Sequence, residues 1–227
     1  RSLRMDLRGH GESPVDFDPA GEHTLDAYAE DMIALLDHLG ISDVHYCGES
    51  FGGIIGMALA AQHPQRVRTL SLISAPVRLS ETAAKRVGVG EAPLRKLGPM
   101  AYARAKNGVD RFPPGTDPGL LEWYANEMGK SDVEVLCGLY GLLRHASAAS
   151  FLPKIKAPVL GLYPTGGPIT SREQEEQLGV VGVVRDRELA VLDGVVIVGL
   201  AHAPQRLREV VVRSEEHTSE LQSHVRI

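Results

Sequence analysis

The sequence predicts an α/β fold: a doubly wound, mostly parallel sheet carrying a helical insertion. Three observations lead there. A short apolar run at 44–47 enters Gly48-Glu49-Ser50-Phe51-Gly52 and passes at once into the helix-forming stretch Ile54-Ile55-Gly56-Met57-Ala58-Leu59-Ala60-Ala61. A second strand-like run, 67–73, follows after Pro64, and a strand, a crossover helix and another strand form the unit that sets neighbouring strands parallel. From 77 to about 156 strand patterns vanish in favour of short helical stretches, and then Ala157-Pro158-Val159-Leu160-Gly161-Leu162-Tyr163 resumes the sheet. With 227 residues, 43% of them hydrophobic, the chain can bury a core, and its composition asks for no second one.

In chain order, 1–7 reads as the end of a strand running into a Gly-rich turn, Arg8-Gly9-His10-Gly11-Glu12-Ser13-Pro14. Residues 24–39 form the clearest helix. Thr24 can cap it, Asp26 sits in the first turn where the helix dipole favours an acid, and Gly40 stops it. Leu25, Tyr28, Met32, Leu35, Leu36 and Leu39 recur at helical spacing as its inner face, while Glu30, Asp31 and Asp37 read as a solvated face without catalytic meaning. The run 44–47 reads as a buried strand, so Cys47 is expected in the core, and Cys137 likewise; two cysteines are too few for a disulfide framework or a metal site.

The helical stretch 77–156 breaks at Gly98-Pro99 and at Pro113-Pro114-Gly115. Its apolar stripe Trp123, Tyr124, Met128, Leu136, Tyr140 and Leu143 serves either packing, the commoner use of such a pattern, or the lining of a pocket. His145 falls on the surface of this part. Beyond Tyr163 a loop, 164–170, leads to a helix opened by two capping-box patterns, Thr170 with Glu173 and Ser171 with Gln174. A last strand at 195–198 then runs into Gly199-Leu200-Ala201-His202.

The chemistry gathers at Ser50. A nucleophilic serine must stand clear of its own backbone, and a sharp strand-to-helix turn achieves this by holding it in a strained conformation. Glycines two before and two after, Gly48 and Gly52, let the neighbouring chains close in. The helix starting at Phe51 turns its free N–H groups and positive dipole end toward any anion formed beside Ser50, so the Phe51 N–H is expected to be one oxyanion donor. His202, placed after a strand end, is the candidate general base.

The Gly-rich turn, read as Asp6-Leu7-Arg8-Gly9-His10-Gly11-Glu12-Ser13, and the elbow around Ser50 follow each other with a helix between them. Together they resemble the α/β-hydrolase superfamily, in which Asp-x-Arg-Gly-x-Gly-x-Ser follows the fourth strand of the sheet. The resemblance implies that the first strands, and the loop carrying a second oxyanion donor, lie upstream of this chain and are missing from it. It also implies a core at 1–76 and 157–212, and a helical cap at 77–156 that shapes the substrate pocket.

For function, the resemblance implies a serine hydrolase acting on a small ester or lactone, with Ser50 as nucleophile, His202 as base and Phe51 in the oxyanion hole. Serine at the elbow argues against haloalkane dehalogenase and epoxide hydrolase chemistry, which in related proteins uses Asp there. A carbon-carbon bond hydrolase, and a ligand-binding protein without turnover, stay open. The family's triad acid aligns with Gly167, so the acid is absent from its expected place. It is supplied from the end of the preceding strand, as in some members of the family, or lost in a binding protein, or dispensed with in a Ser-His dyad. At the end of the strand 67–73 stand Ser74-Ala75-Pro76, and the nearest carboxylate is Glu81.

No cofactor or metal is expected, and the partner implied is a small-molecule substrate. A net charge of −5 gives no electrostatic reason to expect nucleic acid or an anionic membrane. No apolar run approaches the ~20 residues of a membrane-spanning helix, and the cytoplasm is the default location. Residues 179–194 depart from the family pattern. The tail 213–227 resembles a translated sequencing adapter and is excluded from the fold, so His217 and His224 are not expected to be metal ligands.

Overall fold

In the computed structural model, which describes residues 2–107, 112 and 114–162, the first helix begins where Thr24 can cap it. The Thr24 hydroxyl accepts from Ala27 N at 3.0 Å, satisfying one of the free N–H groups of α1 (Leu25–His38), and Gly40 turns the chain out at φ 65°. There follow β1 (Val44–Glu49), α2 (Phe51–Gln62) and β2 (Val67–Ile73). The strand-helix-strand unit is thus present, with β1 and β2 parallel and in register from His45–Thr69 to Glu49–Ile73. After a long helical insertion, β3 (Val159–Leu162) pairs parallel with β2, giving the order β1-β2-β3.

The core lies between α2 and one face of this sheet. Leu70 and Leu72 point at α2, where Gly56 lets the Tyr46 ring come close and Gly53 meets Leu72. Almost every α2 residue from Phe51 to Ala60 is buried, as befits a helix packed on the sheet, on α1 and on the turn at Leu152–Lys154. Fully burying side chains of this size stabilises by about 1.5–3 kcal/mol each. The opposite sheet face carries His45, Cys47 and Glu49, all exposed. The expectation of a core Cys47 is therefore corrected: strand alternation sends it to the face away from α2. Cys137 is buried as expected.

Two readings of α1 also change. Ile33 takes a place in its inner face, whereas Leu39, at the C-cap, is 47% exposed. The acids are not simply solvated: Glu30 pairs with His63, Asp37 with Arg66 and Asp31 with Arg8. The first two contacts tie α1 to the end of α2 and the turn after it.

The insertion holds α3 (Glu81–Leu97), α4 (Pro99–Tyr102) continued by a π-helical turn at Ala103–Asn107, α5 (Pro118–Met128) and α6 (Val133–His145). Gly98, at φ 78°, and Pro99 make the expected break. Ser80, Asp117 and Asp132 cap α3, α5 and α6. The insertion leaves and returns side by side, Ala148 N donating to Val77 O at 2.7 Å and Arg78 bridging Ser147. Its own small core joins Leu94, Tyr102, Leu136 and Cys137, with Met128 and Tyr140 packed against them. The apolar stripe read from the sequence is thus mostly packing: Leu143 joins the main core, Tyr124 meets Phe112 edge to face, and Trp123 is 40% exposed. His145 is exposed at the end of α6, as expected.

Candidate active site

Ser50 sits between β1 and α2 with φ 50° and ψ −115°, a conformation that a residue bearing a Cβ adopts only when its surroundings impose it. The constraints are visible. Ser50 N donates to Ile73 O at 2.8 Å, so the turn begins while the chain is still bonded to β2. A Cβ on Gly48 would stand 2.5 Å from the carbonyl of Gly52, so only glycine lets α2 start this close to β1. Tyr46 Oη donates to Gly52 O at 2.8 Å, fixing the first turn of α2 from beneath, and burial pushes this phenol well above its ordinary pKa. The second glycine that the turn requires sterically is Gly53, whose added Cβ would collide with the Cβ of Ala75; Gly52 faces open space. The sequence pattern assigned that role to Gly52.

Ser50 occupies the N-cap position of α2 yet makes no side-chain cap bond, which leaves Oγ uncommitted to the helix. Phe51 is the first helical residue, where an N–H has no intrahelical acceptor, and among the described residues its N–H donates to no backbone carbonyl. Its ring is buried. At the end of the neighbouring strand β2, Ser74 is the other non-glycine residue at positive φ among the described residues, at 47°. Ser74, Ala75 and Pro76 bring no carboxylate there. His202, Gly167, the capping boxes after Tyr163, the strand expected at 195–198 and the tail all lie outside the described residues.

The Gly-rich turn is held by its own side chains. Asp6 Oδ2 accepts from Glu12 N at 3.1 Å, and Ser13 Oγ donates to Asp6 O at 2.8 Å. Gly9 and Gly11 stand at φ 71° and 55°, and a Cβ on Gly9 would meet Val135 of α6 at 2.7 Å. Arg8 leaves this turn for the core: its guanidinium donates to both carboxylate oxygens of Asp31, at 2.7 and 2.6 Å, and lies 5.2 Å from the Phe17 ring centre and 5.9 Å from that of Tyr28. Asp31 raises the already high pKa of Arg8, and the pair is a fixed charge-assisted clamp.

Sequence reasoning passed over His23. It is only 8% exposed, its Nδ1 lies 2.7 Å from Tyr28 Oη, and its Nε2 has no hydrogen-bond partner among the described residues. Burial first, and then the nearby His10 and Arg8, hold His23 below the usual imidazole range. His10, whose Nδ1 donates to the Arg8 carbonyl at 3.0 Å, is lowered as well, again chiefly by burial. The signal for His23 was faint, a lone histidine just before a helix cap. A cleft of about 280 Å³ opens between His23, Ala20 and the α3 and α6 residues Arg95, Cys137 and Arg144; Ser50 does not line it.

Comparison with known proteins agrees with this geometry. The family description "alpha/beta hydrolase fold" matches residues 1–90. The chain is 29% identical over 169 residues to 3-oxoadipate enol-lactonase 2 of Acinetobacter baylyi, covering 73% of this chain and 61% of that protein. It is 40% identical over 136 residues to lipase LipV of Mycobacterium tuberculosis, covering 60% and 49%. The chain thus spans less than two thirds of the length of these curated relatives. Among solved structures, a hydrolase from Pseudomonas aeruginosa PA01 superimposes with a TM-score of 0.64 at 28% identity, over 79% of this chain and 69% of that one. With a strained serine between a parallel strand and a buried helix, and with these matches, the described residues adopt the α/β-hydrolase fold.

Proposed function

We propose that this chain acts as a serine hydrolase on a small ester or lactone, with Ser50 as nucleophile. The observation that carries the reading is the backbone of Ser50, φ 50° and ψ −115°, which lifts Oγ off the end of β1 beside the uncommitted N–H of Phe51. His202 takes the Ser50 proton as Oγ attacks the carbonyl carbon, and the Phe51 N–H meets the negative charge that develops on the carbonyl oxygen. Collapse expels the alcohol, which takes the proton back from His202; in a lactone this alcohol stays tethered to the acyl group. Water, deprotonated by His202, then cleaves the acyl-Ser50 ester, releases the acid and restores the serine.

The names of two relatives, an enol-lactonase and a lipase, support ester-type substrates. Residues 77–156 serve as the cap over a core at 1–76 and 157–212, seated where α6 meets the Gly-rich turn. The partner is a small molecule; neither nucleic acid nor a membrane is required, and the chemistry needs no cofactor or metal. The acid absent at Gly167 is made good elsewhere or left out in a Ser-His dyad, since the third group mainly orients and stabilises the imidazolium.

The test is fluorophosphonate labelling of the full chain with mass-spectrometric site mapping, against a Ser50→Ala control. An adduct on Ser50, absent from the control, is expected, and an ester and lactone screen then defines the bond cleaved. A folded chain that takes no adduct on Ser50 refutes the mechanism and leaves ligand binding without turnover as the function.

A further inference from the structure

The oxyanion donor proposed above belongs to Phe51, and what surrounds the Phe51 side chain bears on where its N–H points. Tyr28 of α1 is fully buried and meets the Phe51 ring edge to face, with centroids 5.2 Å apart and planes at 87°. Other groups brace Tyr28 in turn. The Arg8 guanidinium lies 5.9 Å from its ring centre and is itself clamped by both oxygens of Asp31. The His23 ring stacks on it at 5.8 Å and 28°, and His23 Nδ1 sits 2.7 Å from its hydroxyl. Phe17 closes the group, edge-on to His23 at 5.2 Å and under Arg8. A contiguous stack therefore runs from the Gly-rich turn through α1 to the residue after Ser50. Aromatic pairs in such arrangements contribute beyond their buried area because edge and face carry opposite partial charge. A tightly packed interior passes a displacement on rather than absorbing it.

We propose that Tyr28 is a positioning residue for the oxyanion donor: braced by Arg8–Asp31 and His23, it holds the Phe51 side chain and with it the N–H beside Ser50. The inference rests on the reading of Ser50 and Phe51 given above. Tyr28 touches neither substrate nor reacting atoms. Its effect falls on the chemical step, because a donor displaced by a fraction of an ångström still admits the substrate but meets the developing charge poorly.

The experiment is fluorophosphonate labelling of the full chain, resolved into KI and the saturating rate kinact, with the folded fraction measured by circular dichroism. Removing an oxyanion donor outright costs roughly a hundredfold or more, so misplacing one by Tyr28→Leu is expected to lower kinact about tenfold. KI should stay within about twofold. Tyr28→Phe keeps the ring and should recover most of the rate. Phe51→Leu should reproduce the loss, and Tyr28→Leu placed on Phe51→Leu should add little, the non-additivity expected of two residues acting through one contact. If Tyr28→Leu does not fold, Phe51→Leu and Asp31→Asn carry the test, and unchanged kinact in both overturns the inference. A wild-type adduct with unchanged kinact in folded Tyr28→Leu overturns this inference alone; no adduct on wild-type Ser50 overturns the hydrolase reading and this with it.

Discussion

One methyl group added at Gly52 and one added at Gly53 should have opposite effects, although the residues are neighbours in the same helix. At Gly52 a Cβ meets no atom within 4 Å, and the φ is not in the left-handed region. Alanine there gains the ordinary helical preference over glycine, about 0.5–1 kcal/mol. At Gly53 the same Cβ would overlap that of Ala75, approach Gly48 O at 3.1 Å and reach Leu72 Cδ2 at 3.4 Å. The first two of these are fixed to the backbone and cannot swing aside. Overpacking of this kind costs about 1–3 kcal/mol. The helical preference is common to both variants, so the difference between them isolates the packing cost. For a chain of this size it corresponds to roughly 2–12 °C in Tm. Thermal unfolding of Gly52→Ala and Gly53→Ala, followed by circular dichroism, measures it. Equal midpoints, or a lower one for Gly52→Ala, would refute the packing argument and return the steric requirement to the glycine of the sequence pattern.

Ser50→Gly should raise the unfolding midpoint while abolishing labelling, since glycine accepts φ 50° without the ~1–3 kcal/mol of strain and loses part of that gain to chain entropy; an unchanged or lower midpoint would count against a strained elbow. His23 is held below its usual pKa, so the unfolded chain binds the proton first as pH falls through about 6.5, and the stability present at neutral pH declines below that. His23→Asn should therefore flatten the dependence of urea-unfolding free energy on pH between about 6.5 and 5, and an unaltered slope would show that His23 is not the group responsible. Iodoacetamide should modify Cys47, which is exposed, well before Cys137, which is buried and whose thiol burial pushes up; equal rates in the native protein would contradict the placement of Cys47 on the open sheet face.

Much of this architecture was legible because local signals agreed. Thr24, Asp26 and Gly40 bound α1 within a residue at each end, and the apolar run at 67–73 coincides with β2. The turn at Ser50 was legible from glycine spacing, because few residue types permit such an approach of helix and strand. What failed was tertiary. Cys47 reads as core by residue type, yet which face of a strand is covered depends on elements that the strand's own sequence does not encode. Asp31 looks like any other surface acid on α1 until Arg8, 23 residues earlier, folds back onto it. The pattern marks Gly52, yet it is Gly53 that the packing requires, because Ala75 after the next strand, Leu72 within it and the Gly48 carbonyl crowd that position alone.

The placement of strain follows from that meeting of strands. Ser50 and Ser74 are the two non-glycine residues at positive φ among those described, and each directly follows a strand of the parallel sheet. Each also keeps one more ladder bond to the neighbouring strand, Ser50 N to Ile73 O and Ser74 N to Leu162 O, both at 2.8 Å. The chain is therefore still tethered in the sheet direction at the residue where it must turn away. A turn spread over several residues could relax; here Gly48 lies against Gly52, Gly53 against Ala75, and Tyr46 holds the Gly52 carbonyl, leaving one residue to absorb the change of direction. The strained serine is thus a product of how closely α2 docks on β1 and β2. Substitutions that loosen that docking should relax Ser50 and dull its reactivity even where they touch neither its hydroxyl nor the Phe51 N–H.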